Sequence, residues 1–442
     1  MSRLVCAGCG AAAADPFAFR CPNAVRHDDV DHVLRRRLDS DEARFPGGDR
    51  DSNPFLRYRS LLHAAHLGLP DEDFCALVRK LDARVAAVDG HGFTVTPFGR
   101  ADALSDRLGF SAEGGVWLKD ETGNVSGSHK ARHLFGVLLY LEACERAGLT
   151  TERPELAIAS CGNAALAAAV VAAAGGRTLR VFVPTDANPA VLARLDELGA
   201  RITHCPRDGR PGDPTYRRLL LALAKGSLPF TCQGNLNGLA VEGGYTLGWE
   251  IASAGVPLDR VVVQVGGGAL ASSVAAGLRE GGLAPRLDTV QTTGAWPLKR
   301  AFDRVRETEL DYAASHRSEF MWPWEQEPHS IAHGILDDET YDWLAVIEGM
   351  LATGGTPLVV GEDTLAEANA LAAEATGIDV DPTGSAGLAG LLALHAAGEI
   401  SRDERVGILF TGVIRTNPSK ERTRDEELSR TRHPVTEGLR AH

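Results

Sequence analysis

Between residues 156 and 205 the chain alternates short apolar runs with helical stretches, and this alternation constrains the fold more than any other feature. Leu156-Ala157-Ile158-Ala159 reads as a strand, a turn of small residues follows, and residues 164–174 read as an Ala-rich helix. Leu179 to Val183 is a second strand, closed by Pro184. Pro189 to Leu198 reads as a helix ending at Gly199, and Arg201 to Cys205 as a third strand. Strands joined through helices predict a parallel sheet with right-handed crossovers. Val261 to Val265, Asp288 to Thr293 and Val406 to Phe410 repeat the strand texture later on. The expected fold class is therefore α/β, with two open parallel sheets.

Three turns in this framework carry chemistry. Ser160-Cys161-Gly162-Asn163-Ala164-Ala165 links a strand to a helix, where free backbone N–H groups suit an anion such as a carboxylate. Asn163 at or near the N-cap is equally explained as an ordinary capping residue. Gly266-Gly267-Gly268-Ala269-Leu270 also leaves a strand and enters a helix. Its adjacent glycines allow an anion close to the backbone, and the helix dipole favours phosphate; a tight structural turn is the alternative. It is neither a Walker loop nor the dinucleotide fingerprint. Lys130 closes Gly123-Asn124-Val125-Ser126-Gly127-Ser128-His129, at the mouth of an apolar helix. A lysine among small residues, an Asn-bearing helix start and a glycine cradle are together what a pyridoxal 5'-phosphate site requires. The lysine forms the Schiff base, the amide reaches the ring phenol oxygen and the glycines hold the phosphate.

Composition removes the main competitors. A net charge of -13 over 442 residues argues against a nucleic-acid partner, which would need a basic face. The N-terminal MSRLVCAGCG has no signal-peptide core, and the longest apolar run, Ala164 to Gly175, is too short to cross a bilayer. Eight cysteines are far from disulfide-scaffold density, so a cytoplasmic, reduced protein is expected, with no membrane partner.

At these turns the sequence resembles the fold type II pyridoxal-phosphate enzymes, whose fold is of the tryptophan synthase β class. Within that group it looks most like threonine synthase and cysteate synthase. Asn124-Val125-Ser126-Gly127-Ser128-His129-Lys130-Ala131-Arg132 is similar to their Asn-Pro-Thr-Gly-Ser-Phe-Lys-Asp-Arg signature. Ser160 to Ala165 resembles Ser-x-Gly-Asn-x-Ala, and the all-glycine phosphate loop resembles that of serine/threonine dehydratases. Asn53 to Arg59, Glu242-Gly243-Gly244-Tyr245-Thr246 with Glu250-Ile251, Asp381 to Gly387 and Phe410-Thr411-Gly412 extend the likeness across roughly residues 50–415. The resemblance implies Lys130 as Schiff-base lysine and proton shuttle, and Asn163 on the phenol oxygen. It also implies Gly266, Gly267, Gly268, Ala269 and Leu270 on phosphate, Ser160, Cys161 and Gly162 on the substrate carboxylate, and Thr411 on the pyridine nitrogen. A hydroxyl there does not stabilise a pyridinium, so the electron sink is weaker and elimination or replacement outruns transamination.

The implied activity is β- or γ-elimination or replacement on a small L-amino acid, as in threonine synthase. A dehydratase-like ammonia-lyase is the alternative, and a cofactor-binding scaffold without turnover a further one. A homodimer is expected. His129 replaces the family Phe and is expected to pack rather than act as acid or base; Cys161 is expected to be a small core residue, not a nucleophile. These departures, with Ala131 for an acid, put the phosphohomoserine-to-threonine reaction in question. The domains expected are a leader over 1–50, a large domain from 51–130 and 231–416, a mobile domain over 131–230, and a polar tail over 417–442. In the leader, Cys6-x-x-Cys9 and Cys21-Pro22 form part of a zinc knuckle that lacks its fourth cysteine, with His27 at unusual spacing. It is expected to be degenerate, and no metal is assigned. Arg35-Arg36-Arg37 is expected to be a solvated helix face, and Ser330 to Asp337 either lines the substrate pocket or is an ordinary loop.

Overall fold

The computed structural model describes residues 2–15, 17–25, 28–38, 45–46, 50–210 and 212–415. The tail expected over 417–442, and His27, lie outside the described residues. Strands β1 (Ser2–Cys6) and β2 (Leu34–Leu38) form an antiparallel ribbon. Six strands form the larger sheet: β3 (Phe98–Arg100), β4 (Gly115–Asp120), β9 (Arg260–Gln264), β10 (Arg286–Thr292), β11 (Pro357–Val360) and β12 (Arg405–Phe410), in the order β11-β10-β9-β12-β4-β3. All its pairs are parallel except β3 with β4. A four-stranded parallel sheet has the order β7-β6-β5-β8, from β5 (Leu156–Ala159), β6 (Leu179–Val183), β7 (Arg201–His204) and β8 (Leu228–Pro229). The α/β class with two largely parallel sheets is as expected.

Strand β9, Arg-Val-Val-Val-Gln, is buried throughout because it is central and covered on both faces. Its alternate residues point oppositely: Val261 and Val263 enter one apolar cluster with Leu409, Val262 another with Ile408 and Phe410. Register sets where the connecting loops emerge. β12 lies between β9 and β4, with Phe410 opposite Asp120 and Ile408 opposite Val262. The segments leaving the C-terminal ends of β4, β12 and β9 therefore emerge side by side. They are the lysine turn, Thr411 and the glycine loop.

The helix Leu239–Ser253 packs between the helices Lys130–Arg146 and Ala269–Glu280 at backbone contact. A Cβ on Gly243 would collide with the Arg132 carbonyl oxygen, and one on Gly248 would lie 2.7 Å from the Gly277 Cα. Beneath this junction lies a fully buried charge cluster. Arg132 Nε meets Glu121 Oε2 at 2.7 Å and Arg132 Nη1 meets Glu250 Oε1 at 2.5 Å, while Lys119 Nζ holds Glu250 Oε2 at 2.5 Å. Burial would raise the Glu250 carboxyl, but the Arg132 and Lys119 charges outweigh it and hold the group below its usual range. Two cations face two carboxylates, so the cluster is neutral as well as hydrogen-bonded.

The arginine run of the leader is not a solvated helix. It is β2, and Arg36 is buried, with Nε 2.9 Å from Glu242 and Nη2 2.7 Å from Glu280. Its guanidinium also lies 5.2 Å from the Tyr245 ring centre. Three charged residues in a row carry no periodicity that distinguishes a wet face from a docked strand. The partners, some 200 residues away in sequence, decide it.

Candidate active site

The lysine turn is tied directly to the end of β12. His129 N donates to the Thr411 carbonyl at 3.1 Å, Val413 N donates to Gly127 O at 2.9 Å, and Ser128 bridges Gly412. Ser126 takes a left-handed φ of 55°, uncommon for a non-glycine residue, and its N–H is held by Asp89 Oδ2 at 2.7 Å. Lys130 is thereby delivered as the first residue of the helix Lys130–Arg146, half-buried, and its ammonium has no hydrogen-bond or salt-bridge partner among the described residues. His129 is buried, its Nδ1 lies 3.2 Å from the Thr411 carbonyl and its ring packs on His133. Burial, then the Lys130 charge, pushes its imidazole well below the ordinary value. It is buried and packed against His133, as expected.

Thr411 is buried, and its Oγ1 accepts from Gln264 Nε2 at 2.9 Å. The amide supplies a donor to the hydroxyl, so the threonine proton is left to donate elsewhere. Gln264, the last residue of β9, also spans the Thr383 and Gly384 carbonyls, while its Oε1 is buried without a partner. A lone polar residue ending the run Val-Val-Val-Gln was a visible signal, and sequence reasoning passed over it.

The glycine loop leaves β9, and Gly268 at φ 94° is the N-cap of the helix Ala269–Glu280. The stretch Ser330 to Asp337 lies against it: a Cβ on Gly266 would meet Asp337 Oδ2 at 2.5 Å and Ile335 Cα at 2.8 Å. Burial raises the Asp337 carboxyl to about 6, with the Lys130 charge and the Gly267 N–H pulling the other way. Asp342 comes next, its own N–H donating to Gly267 O at 2.8 Å and its carboxylate accepting Gly234 N–H at 3.2 Å. Burial raises Asp342 to about 7. Neither aspartate was assigned a role from sequence, since only the fold lays their loop on the glycines.

Across from these lies the loop after β5. Gly162, not Asn163, is the N-cap of the helix Asn163–Gly175, so the capping account of Asn163 does not hold. Asn163 Oδ1 accepts from Arg415 Nε at 2.8 Å, and its amide also supports Asp381. A Cβ on Gly412, next to Thr411, would lie 2.7 Å from Asn163 Nδ2. Ser160 N donates to Phe182 O at 3.2 Å and Gly162 N to Ser160 Oγ at 3.4 Å. Cys161 is exposed and not the core residue expected, because the loop after β5 faces the open cleft; desolvation and then Asp186 and Asp213 raise its thiol, which does not suit a nucleophile.

Residues 91–412 match the pyridoxal-phosphate dependent enzyme family. The chain belongs to that family. Threonine synthase of Methanocaldococcus jannaschii is 26% identical over 328 residues, 72% of this chain and 74% of that protein. Phenylserine dehydratase of Ralstonia pickettii is 26% identical over 337 residues, 74% of this chain and 92% of that protein. Among solved structures, maize serine racemase superposes with a TM-score of 0.61 at 17% identity, covering 81% of this chain and 98% of that one. Threonine deaminase isoform 2 of Solanum lycopersicum superposes with a TM-score of 0.59 at 18% identity, covering 86% and 97%. At such identities these structures speak for the fold type II architecture alone.

The residues present fit the family cofactor. Lys130 has no partner among the described residues, the Thr411 hydroxyl has a proton to give, and the glycines keep open space that a Cβ at each would fill. Among the described residues no helix is long and apolar enough to cross a membrane.

Proposed function

We propose that the protein catalyses elimination or replacement at the β or γ carbon of an L-amino acid, using pyridoxal 5'-phosphate held by Lys130, Asn163, Gly266 to Leu270 and Thr411. The observation that carries this reading is the Thr411 hydroxyl, oriented by Gln264 at 2.9 Å, beside an unpaired Lys130. When bound, the cofactor supplies the electron sink that acidifies the substrate's Cα–H. Lys130 Nζ takes that proton and returns it. Thr411 donates to a ring nitrogen without protonating it, so expulsion of a leaving group is favoured over amino-group transfer. The Ser160 side chain and the backbone N–H groups of Cys161 and Gly162, at the start of the helix Asn163–Gly175, receive the α-carboxylate, the Ser160 N–H being taken by Phe182 O.

The substrate side chain is neutral or cationic. Asp337 lies against Gly266 and Asp342 against Gly268, and burial raises both, with Asp338 between them, so the loop facing the glycines is rich in carboxyls. A phosphorylated side chain would enter this acidic wall against like charge. That favours the dehydratase or ammonia-lyase branch, represented by the phenylserine dehydratase relative, over the phosphate-releasing reaction. The intact set of Lys130, Asn163, glycine loop and Thr411 argues against a scaffold without turnover. All eight cysteines are unpaired, which supports a reducing, cytoplasmic setting, and we propose a homodimer, to be checked by light scattering.

The experiment is a panel of serine, threonine, 2,3-diaminopropionate and phosphohomoserine, scoring ammonia, 2-oxoacid and phosphate release. Turnover of one of the first three, lost in Lys130→Ala, is expected. Phosphohomoserine as the best substrate would overturn the inference from charge, and no turnover with any member would favour the scaffold.

A further inference from the structure

Three cysteines and a histidine of the leader converge on one point. Cys6, Cys9, Cys21 and His32 place their ligand atoms within 4.8 Å of one another. Cys6 Sγ lies 3.4 Å from His32 Nδ1, and Cys9 Sγ lies 3.5 Å from Cys21 Sγ. Tetrahedral zinc with its usual bond lengths puts sulfur atoms about 3.8 Å apart and sulfur and nitrogen about 3.6 Å apart. Two of the pairs are therefore close to coordination spacing, and all four atoms lie within about an ångström of it. The residue expected to complete a knuckle, His27, lies outside the described residues; His32 stands in its place. It was missed because the ligand spacing Cys21 to His32 fits no familiar motif.

The surroundings are those of a metal site rather than of a chance cluster. His32 Nε2 bonds Asp28 Oδ2 at 3.0 Å, which fixes the tautomer that leaves the Nδ1 lone pair facing the sulfurs. Asp28 is itself held by Val25 N–H at 3.0 Å. Asn23 N–H points at Cys21 Sγ at 3.4 Å, as backbone amides do toward metal-bound thiolates. The Cys6-x-x-Cys9 turn closes on the histidine segment through Ala7 N to Val33 O at 2.8 Å. Gly8 makes this approach feasible, since a Cβ there would collide with the Asp31 carbonyl oxygen.

We propose that Cys6, Cys9, Cys21 and His32 bind one zinc ion in a closed, structural site that fastens the leader to the catalytic body. Binding replaces three S–H protons by three zinc–sulfur bonds, releases those protons and leaves His32 neutral. No ligand position is left for substrate, so the role is not catalytic. The fastening has consequences because the leader is wired into the rest of the chain. Arg36 binds Glu242 and Glu280, Arg317 meets Asp31 at 3.4 Å, and Ala18 N–H reaches Tyr140 Oη at 3.2 Å.

The test is the metal content of cofactor-loaded full-length enzyme purified under reducing conditions, with X-ray absorption at the zinc edge. About one zinc per chain with a shell of three sulfurs and one nitrogen is expected. Cys9→Ser and His32→Ala should lose it. Asp28→Asn keeps all ligands and should weaken zinc affinity by about 10–100-fold. His32→Cys should retain zinc and change the shell to four sulfurs, which separates ligand loss from misfolding. Cys75→Ser, remote from the site, should keep the metal. Wild-type zinc no higher than in Cys9→Ser, or a Cys9–Cys21 disulfide in the freshly purified protein, would overturn the assignment.

Discussion

On the proposed function, Thr411 and Asp337 would meet one cofactor from opposite ends. Thr411→Asp would place a carboxylate where a hydroxyl now accepts from Gln264, favouring a protonated ring nitrogen. Elimination should slow, and conversion of cofactor to pyridoxamine phosphate should rise from a low base, measured by product analysis at equal substrate. An unchanged product ratio would mean that Thr411 does not meet the nitrogen. Asp337 is held near 6 chiefly by burial, far above an ordinary aspartate. Its ionised form therefore costs stability that is absent below pH 4 and grows as pH rises through 6. Asp337→Asn should leave apoprotein stability unchanged at pH 4 and raise it at pH 8, by up to about 3 kcal/mol. The same change removes the anion competing for Gly267 N–H, so cofactor should bind several-fold more tightly at pH 8. Equal melting curves and equal affinities at that pH would remove Asp337 from the cradle.

At the scale of elements, the helix Leu239–Ser253 does two things with one face. Glu242, Thr246 and Glu250 are spaced by single turns, so they line up. Glu242 takes the leader's Arg36, while Thr246 and Glu250 take Arg132. Arg132 sits two residues after Lys130, and its hold on Glu121 and Glu250 fixes where the lysine helix begins. Arg132→Met strands two buried carboxylates and should destabilise the protein by about 3–5 kcal/mol, read by denaturant unfolding. Loss under about 1 kcal/mol would mean that water reaches the cluster. Gly243→Ala pushes a methyl against the Arg132 carbonyl oxygen and should cost both stability and Lys130 alignment. Its activity loss should exceed that of Gly361→Ala, where a Cβ meets nothing.

For the whole molecule, the two sheets supply opposite walls of the site. The lysine turn, Thr411 and glycine loop hang on the larger sheet, and Ser160 to Asn163 on the smaller. We expect the smaller sheet, within residues 131–230, to close on the larger when substrate arrives, excluding water. Hydrogen exchange of residues 156–175 should slow with a turnover-competent amino acid in the Lys130→Ala holoprotein; identical protection would argue for a rigid cleft.

Strands β5, β6, β7, β9, β10 and β12, the parallel order within each run and the glycine and lysine turns were legible in the sequence, while β1 to β4, β8 and β11 were not. They rest on local causes: period, apolar runs such as Leu179 to Val183, and glycine where backbone must approach closely. The order β11-β10-β9-β12-β4-β3 was not, because strands remote in sequence pair through register that no local window contains. That order alone puts Thr411 beside Gln264 and the lysine turn. Packing between elements remote in sequence lays Asp337 on the glycine loop and docks Arg36 on Glu242 instead of leaving it in water. His32 belongs to the same class: its partner cysteines are named by the sequence, but a ligand's identity depends on which side chains a fold brings within 4.8 Å. The sequence by itself determined the parts and the chemistry they are suited to. Tertiary structure decided which parts meet, because burial and pairing energies act between residues that the chain holds far apart.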